Sequence, residues 1–174
     1  VSEQLVSDVP VGATLSGGLD SSAVTLLADA ERLKRDDRSV LHLFAYHDNA
    51  AEADERAYQQ AVIEAVRSPH QVHWVSSSPE ELANHFDAYI EAQEEPYGDV
   101  SSYAESCLSA EARRSGVKVL LNGLGGDEVF VGYLPYIGPL MLDVLLGGDR
   151  RAVWDLLRVA PEILGTGNDY SRPL

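Results

Sequence analysis

The sequence predicts an α/β domain, a parallel sheet covered by helices on both faces, ending in a truncated helical C-terminal extension. Two observations lead there. Four short apolar runs, Val9–Leu15, Leu41–Tyr46, Gln71–Val75 and Lys118–Asn122, alternate with segments of helical pattern, and strands that alternate with helices pair in parallel. A glycine turn follows the first run and another follows the fourth: Ser16-Gly17-Gly18-Leu19-Asp20-Ser21-Ser22 and Gly123-Leu124-Gly125-Gly126-Asp127-Glu128. Open sheets of this kind bind ligands beyond the carboxyl ends of their strands. Topology can therefore unite two motifs about a hundred residues apart.

Taken in order, residues 1–8 read as the end of a preceding helix or linker. Val9 to Leu15 is the first strand, and a helix runs from about Asp20 to Arg35. Arg35-Asp36-Asp37-Arg38 is a solvated turn. Leu41 to Tyr46, rich in large apolar residues, is the second strand, and His47-Asp48-Asn49 ends it. Glu52 to Arg67 is a helix with Ala57, Ala61, Ile63 and Ala65 among its small and apolar positions. Gln71 to Val75 is the third strand. Ser78-Pro79-Glu80-Glu81 starts a helix, with a serine cap, proline at the first helical position and acids in the first turn. That helix reaches about Ala92, and a loop from Gln93 to Asp99 follows. A further helix covers Ser102 to Ser115, stopped by Gly116, and Lys118 to Asn122 is the fourth strand.

After Tyr133 the character changes. Leu140, Met141, Val144, Leu145 and Leu146 recur at helical spacing, as do Val153, Trp154, Leu156, Leu157 and Val159, with Gly147-Gly148 between the two sets. Such amphipathic faces need a partner. Residues 1–135 are read as the core and residues 136–174 as the start of an incomplete helical region. Dimerisation or aggregation of the chain alone is expected, with a homodimer as one form.

The chain of 174 residues is one domain's worth, with 45% hydrophobic residues. No apolar run approaches the roughly 20 residues that span a membrane, and no signal peptide pattern opens the chain. It begins at Val1, which reads as an excised domain or fragment. The net charge is −15, with 28 acids against 13 bases. Nucleic-acid binding rests on neutralising phosphates with Lys and Arg, so the balance argues against it. Cys107 is the only cysteine, which rules out an intrachain disulfide and points to the cytoplasm.

The first glycine turn has the geometry of a phosphate cradle. Backbone N–H groups at a helix start attract an anion, and Gly17 and Gly18 allow close approach. Ser16, Ser21 and Ser22 add hydroxyl donors. Asp20 would repel phosphates unless a cation lies between, and magnesium is usually held by one or two carboxylates plus substrate phosphates. The turn is not the GxxxxGK[ST] loop, since Lys34 and Lys118 are the only lysines. The plain alternative is a strand–turn–helix with a serine cap. Asp127, in the second glycine turn, is a second carboxylate placed in a loop, and its plain reading is a turn aspartate.

Ser16 to Ser22 resembles the pyrophosphate loop of the N-type ATP pyrophosphatases, which have an adenine nucleotide alpha hydrolase-like fold. Val9-Pro10-Val11-Gly12 before it, with Gly123 to Glu128 and Gly132-Tyr133 downstream, resemble the synthetase domain of the asparagine synthetase family. The resemblance runs from about Val6 to about Tyr133. It implies cleavage of ATP between the α and β phosphates, an acyl-adenylate on a carboxylic acid, and transfer of the acyl group to ammonia or an amine. It implies ATP and magnesium, with Asp20 and Asp127 sharing the metal as the catalytic acids. It also places Leu15 and Tyr46 at the edge of the adenine pocket, and Asn122 and Gly123 near the same nucleotide. Glu128 orients the loop.

Leu124 stands where asparagine synthetases often carry glutamate. Leucine cannot move a proton but can shield a reactive intermediate from water. The acid is therefore left between aspartate and an analogue. A β-lactam synthetase or lasso-peptide cyclase, whose amine lies within the substrate, is an alternative, and a non-catalytic nucleotide-binding module is another. The family implies an N-terminal glutaminase domain in the full-length protein. Pro96-Tyr97-Gly98-Asp99 and Ser101-Ser102 are candidates for gripping the acyl substrate. His70 and His73 point to opposite faces of a strand, which disfavours a shared metal. Cys107 lacks the local signature of a nucleophile.

Overall fold

The computed structural model of the chain describes residues 1–47, 55–94, 101–130, 134–147, 151–155 and 158. Strands β1 (Val11–Thr14), β2 (Leu41–Tyr46), β3 (His70–Val75) and β4 (Val119–Leu121) form one sheet in the order β3-β2-β1-β4. Every pairing is parallel, with Ala13 opposite Leu43 and Leu121, and Phe44 opposite His73. The first strand is shorter than expected because Pro10, with no N–H, cannot enter the ladder as a donor. All four residues of β1 are buried, as befits the inside of a parallel sheet.

The chain divides into two compact units, Val1–Leu124 and Gly125–Leu174. In the first, α1 (Leu19–Lys34) and α2 (Arg56–Ala65) connect β1, β2 and β3, while α3 (Pro79–Gln93) and α4 (Ser101–Arg114) lead from β3 to β4. Helix α3 opens with a complete capping box. Ser78 Oγ accepts from the Glu81 N–H at 3.1 Å, and the Glu81 carboxylate accepts from the Ser78 N–H at 2.8 Å. The start of α2 expected at Glu52 and the Pro96–Asp99 segment lie outside the described residues.

Strand side chains alternate between faces, and the sheet carries an apolar cluster on each. Ala13, Leu15, Leu41 and Leu43 pack with Ile63 and Val66 from α2 and the residue after it. Phe44 and Val75 pack with Leu108 and Ala112 of α4 and with Val117. Phe44 needs Gly12 beside it. A Cβ there would stand 2.8 Å from the Phe44 ring and 2.9 Å from the His42 carbonyl. His73 stacks on Phe44 with ring centroids 4.5 Å apart.

The second unit contains α5 (Gly126–Phe130), a 3-10 turn at Leu134–Tyr136, α6 (Ile137–Leu146) and a helical stretch over 151–155. Helix α5 corrects an expectation, since Asp127 stands in the first turn of a short helix and not in a loop. Helix α6 agrees with the apolar spacing around Leu140, and Leu142, Leu145 and Leu146 are exposed on it. Among the described residues no helix is long and apolar enough to cross a membrane.

Candidate functional site

The chain leaves the sheet after Leu15, which is buried and whose N–H still donates to the Phe44 carbonyl at 2.8 Å. Gly17 then takes φ +87°, a conformation that costs other residues about 1–2 kcal/mol. It is also pressed onto α2. A Cβ at Gly17 would lie 3.1 Å from Tyr58 Cβ, 3.2 Å from the Glu55 carbonyl and 3.3 Å from Gln59 Cγ. Gly18 is the N-cap of α1, in extended conformation and with no side-chain cap bond. The first-turn N–H groups of α1 therefore lack a side-chain cap, the arrangement that receives an anion.

The serines hold this turn together from inside. Ser21 is buried, and its Oγ accepts from the Ser16 N–H at 3.2 Å and donates to the Gly18 carbonyl at 3.2 Å. It also lies 2.9 Å from Ser16 Oγ. Ser22 Oγ donates to the same Gly18 carbonyl at 2.6 Å. The hydroxyls read in the sequence as phosphate donors are thus engaged within the loop. The Gly18 N–H donates to Ser16 Oγ at 3.3 Å, so the N–H groups of Gly17, Leu19 and Asp20 are the donors this turn offers an anion.

The second glycine motif meets the first. A Cβ on Gly123 would sit 2.7 Å from the Ser21 nitrogen, 3.0 Å from Asp20 Cβ and 3.1 Å from the Asp20 carbonyl carbon. Only glycine lets the chain leaving β4 lie against the first turn of α1. Asn122 shapes this exit, its Oδ1 accepting from the Leu124 N–H at 3.3 Å in an Asx turn. Leu124 is 77% exposed. Asp20 stands half-buried in the first turn of α1. Asp127, in the second unit, is four residues on from Gly123 and also in a first helical turn. A carboxylate there is favoured by the helix dipole in any case.

Tyr46 ends β2 with its hydroxyl 2.6 Å from Ser77 Oγ. Nearby, burial above all, and then Cys107, raise the Tyr103 hydroxyl above its ordinary value. His70 Nδ1 bonds the Ser68 carbonyl and His73 Nε2 bonds His42 Nδ1, each at 2.9 Å, so the two histidines have separate partners. Among the described residues no group of three His, Cys, Asp or Glu side chains could hold a metal. A cation at Asp20 would need phosphate oxygens as well, which suits magnesium. A cavity of about 480 Å³ between His47, Arg56, Ala57, Gln60 and Trp74, and one of about 330 Å³ near Val9 and His42, are not lined by the glycine turn.

The structure adds one residue to those legible in the sequence. Gln59 is fully buried on α2, and its Nε2 donates to the carbonyls of Leu15, Ser16 and Tyr46. The available signal was a polar residue four positions before Ile63, on the inward face of a helix.

The asparagine synthase family profile matches residues 1–158. The chain belongs to the asparagine synthase family. Among similar proteins, "Putative asparagine synthetase (glutamine-hydrolyzing) 2" of Methanocaldococcus jannaschii is 36% identical over 167 residues, covering 94% of the chain and 31% of that protein. Asparagine synthetase B (glutamine-hydrolyzing) of Escherichia coli is 33% identical, over 77% of the chain and 25% of that protein. Amidase chyE of Penicillium rubens is 31% identical, over 75% and 20%. The chain spans less than a third of the length of each of these relatives. The family match takes in both glycine motifs of the chain and continues past α6.

Proposed function

We propose that this asparagine synthase domain binds ATP at the carboxyl ends of β1 and β4 and uses it to activate a carboxylic acid for amide formation. The observation that carries this reading is the contact of Gly123 with Asp20 and Ser21. It sets the chain that leaves β4 against the first turn of α1, beside Asp20.

In this mechanism the backbone N–H groups of Gly17, Leu19 and Asp20 bind the phosphates, and Leu15, Tyr46, Asn122 and Gly123 border the nucleoside. Magnesium, held by Asp20 and Asp127, would neutralise the charge on the departing pyrophosphate. A substrate carboxylate oxygen attacks the α phosphorus and pyrophosphate leaves with the bonding electrons. The amine then attacks the acyl carbon and AMP departs. Leu124 stands at the exit of β4 and excludes water from the activated acid. The acid is aspartate or an analogue. The amine is ammonia, delivered by a glutaminase domain of the full-length protein, or a substrate amine. The setting is cytoplasmic.

The test is pyrophosphate exchange into ATP by the full-length protein, across a panel of carboxylic acids. The expected result is exchange that needs one acid and magnesium and is lost in Asp20→Asn, with circular dichroism unchanged. Exchange that ignores every acid, or an Asp20→Asn protein with unaltered magnesium dependence, would overturn the assignment.

A further inference from the structure

Helix α2 places an amide where its register calls for an apolar residue. Gln59 is fully buried, and its Nε2 donates at 2.9 Å to the Tyr46 carbonyl, 3.2 Å to that of Leu15 and 3.4 Å to that of Ser16. Three carbonyl oxygens converge on one atom, so that atom must be the nitrogen, because the amide oxygen has nothing to donate. The opposite atom, Oε1, is buried without a hydrogen-bond partner among the described residues. A buried oxygen left this way destabilises a fold and offsets part of what the bonds to the three carbonyls contribute. What Gln59 supplies is therefore the place at which those carbonyls are held.

The Tyr46 carbonyl closes β2, and those of Leu15 and Ser16 lie just past the end of β1. Gln59 Cγ also stands where it would meet a Cβ on Gly17 at 3.3 Å. One side chain therefore holds two strand ends and abuts the turn that follows the first. We infer that Gln59 is the positioning residue of the nucleotide site. It fixes the spacing between the edge that borders the nucleoside, at Leu15 and Tyr46, and the turn that binds phosphate, at Ser16–Gly18. This rests on the ATP reading given above. ATP must meet both regions at once, so an error in their spacing weakens its binding, while an acid bound elsewhere is unaffected.

The experiment uses the full-length protein in the pyrophosphate exchange assay. Gln59→Met removes both donors at constant length. Gln59→Glu, kept protonated by burial among carbonyls, retains one donor. The expected result for Gln59→Met is a KM for ATP raised about tenfold, the worth of roughly one hydrogen bond, with the KM for the acid unchanged. Gln59→Glu falls between Gln59→Met and the parent at pH 7 and approaches Gln59→Met as pH rises. If Gln59→Met does not fold, the pH profile of Gln59→Glu decides alone. A parent-like KM for ATP in a folded variant, or equal increases in both KM values, would overturn the inference. A parent protein that catalyses no acid-dependent exchange is a different outcome: it removes the ATP reading and this inference with it.

Discussion

Replacing Gly123 with alanine tests the contact on which the site is built. The added Cβ would lie 2.7 Å from the Ser21 nitrogen, about 0.7 Å inside ordinary van der Waals contact. The other two atoms it meets are Asp20 Cβ and the Asp20 carbonyl carbon. None is the end of a flexible side chain, so nothing can rotate away. The exit of β4 and the first turn of α1 must separate. Overpacking of this sort costs about 1–3 kcal/mol, and a chain of this size loses roughly 2–4 °C of melting temperature per kcal/mol. The functional loss is expected to be larger. A misplacement near 1 Å can cost about 10²-fold in rate, and here it falls on the phosphate-binding turn. Gly116→Ala is the control. It has nothing within 4 Å of its Cβ but has φ +76°, so it should lower the melting temperature while leaving pyrophosphate exchange intact. Thermal unfolding and exchange, measured on parent and both variants, separate the cases. A Gly123→Ala protein with parental melting and exchange would refute the reasoning.

Two further outcomes concern pH. Asp29 of α1 accepts from the Arg67 N–H at 3.2 Å and the Ser68 N–H at 2.7 Å. Burial raises its carboxyl, but hydrogen bonds from Ser68 and Arg67 outweigh that and hold it below the ordinary 3.8. Its contribution is thus fully present above about pH 3.8 and is lost as pH falls through the lower folded value. Asp29→Asn should cost about 1–3 kcal/mol at pH 7 by leaving a buried donor unmatched, and urea midpoints should converge with the parent's in strong acid. A pH-independent difference would contradict this. Burial first, and then His73, hold His42 below its ordinary 6.5. The unfolded chain therefore takes up that proton first, and stability falls as pH drops below 6.5. His42→Gln should flatten the fall in urea midpoint between pH 8 and pH 5.5, and an unchanged slope would argue against it.

Much of the fold could be read locally. Leu41 to Tyr46 has large apolar residues on both faces and forms the strand its composition announces. Ser78-Pro79-Glu80-Glu81 carries its capping box within four residues. The two glycine turns were also visible, and the family match bears out the resemblance they carried. What escaped the sequence depends on distant partners. The close approach of Gly123 to Asp20 and Ser21 has no local sign in the sequence. Gln59 meets carbonyls 13 to 44 residues away, and no local pattern foretells that. Residue type does not reveal which way the Ser21 hydroxyl turns, and it turns to the Gly18 carbonyl.

The sheet also works as a partition. The apolar cluster beneath α2 and the cluster beneath α4 have no residue in common, and Phe44, the large aromatic of the second, fits by filling the space that Gly12 leaves open. Substitutions on opposite faces share no packing partner, so their effects on stability should add. The layer of α2 also braces the phosphate turn through Gln59 and Gly17. Side chains around Leu108 and Ala112 can therefore change without entering the layer that braces the turn, and the change reaches Gln59 through Tyr46, which packs on the α4 side and offers Gln59 its carbonyl.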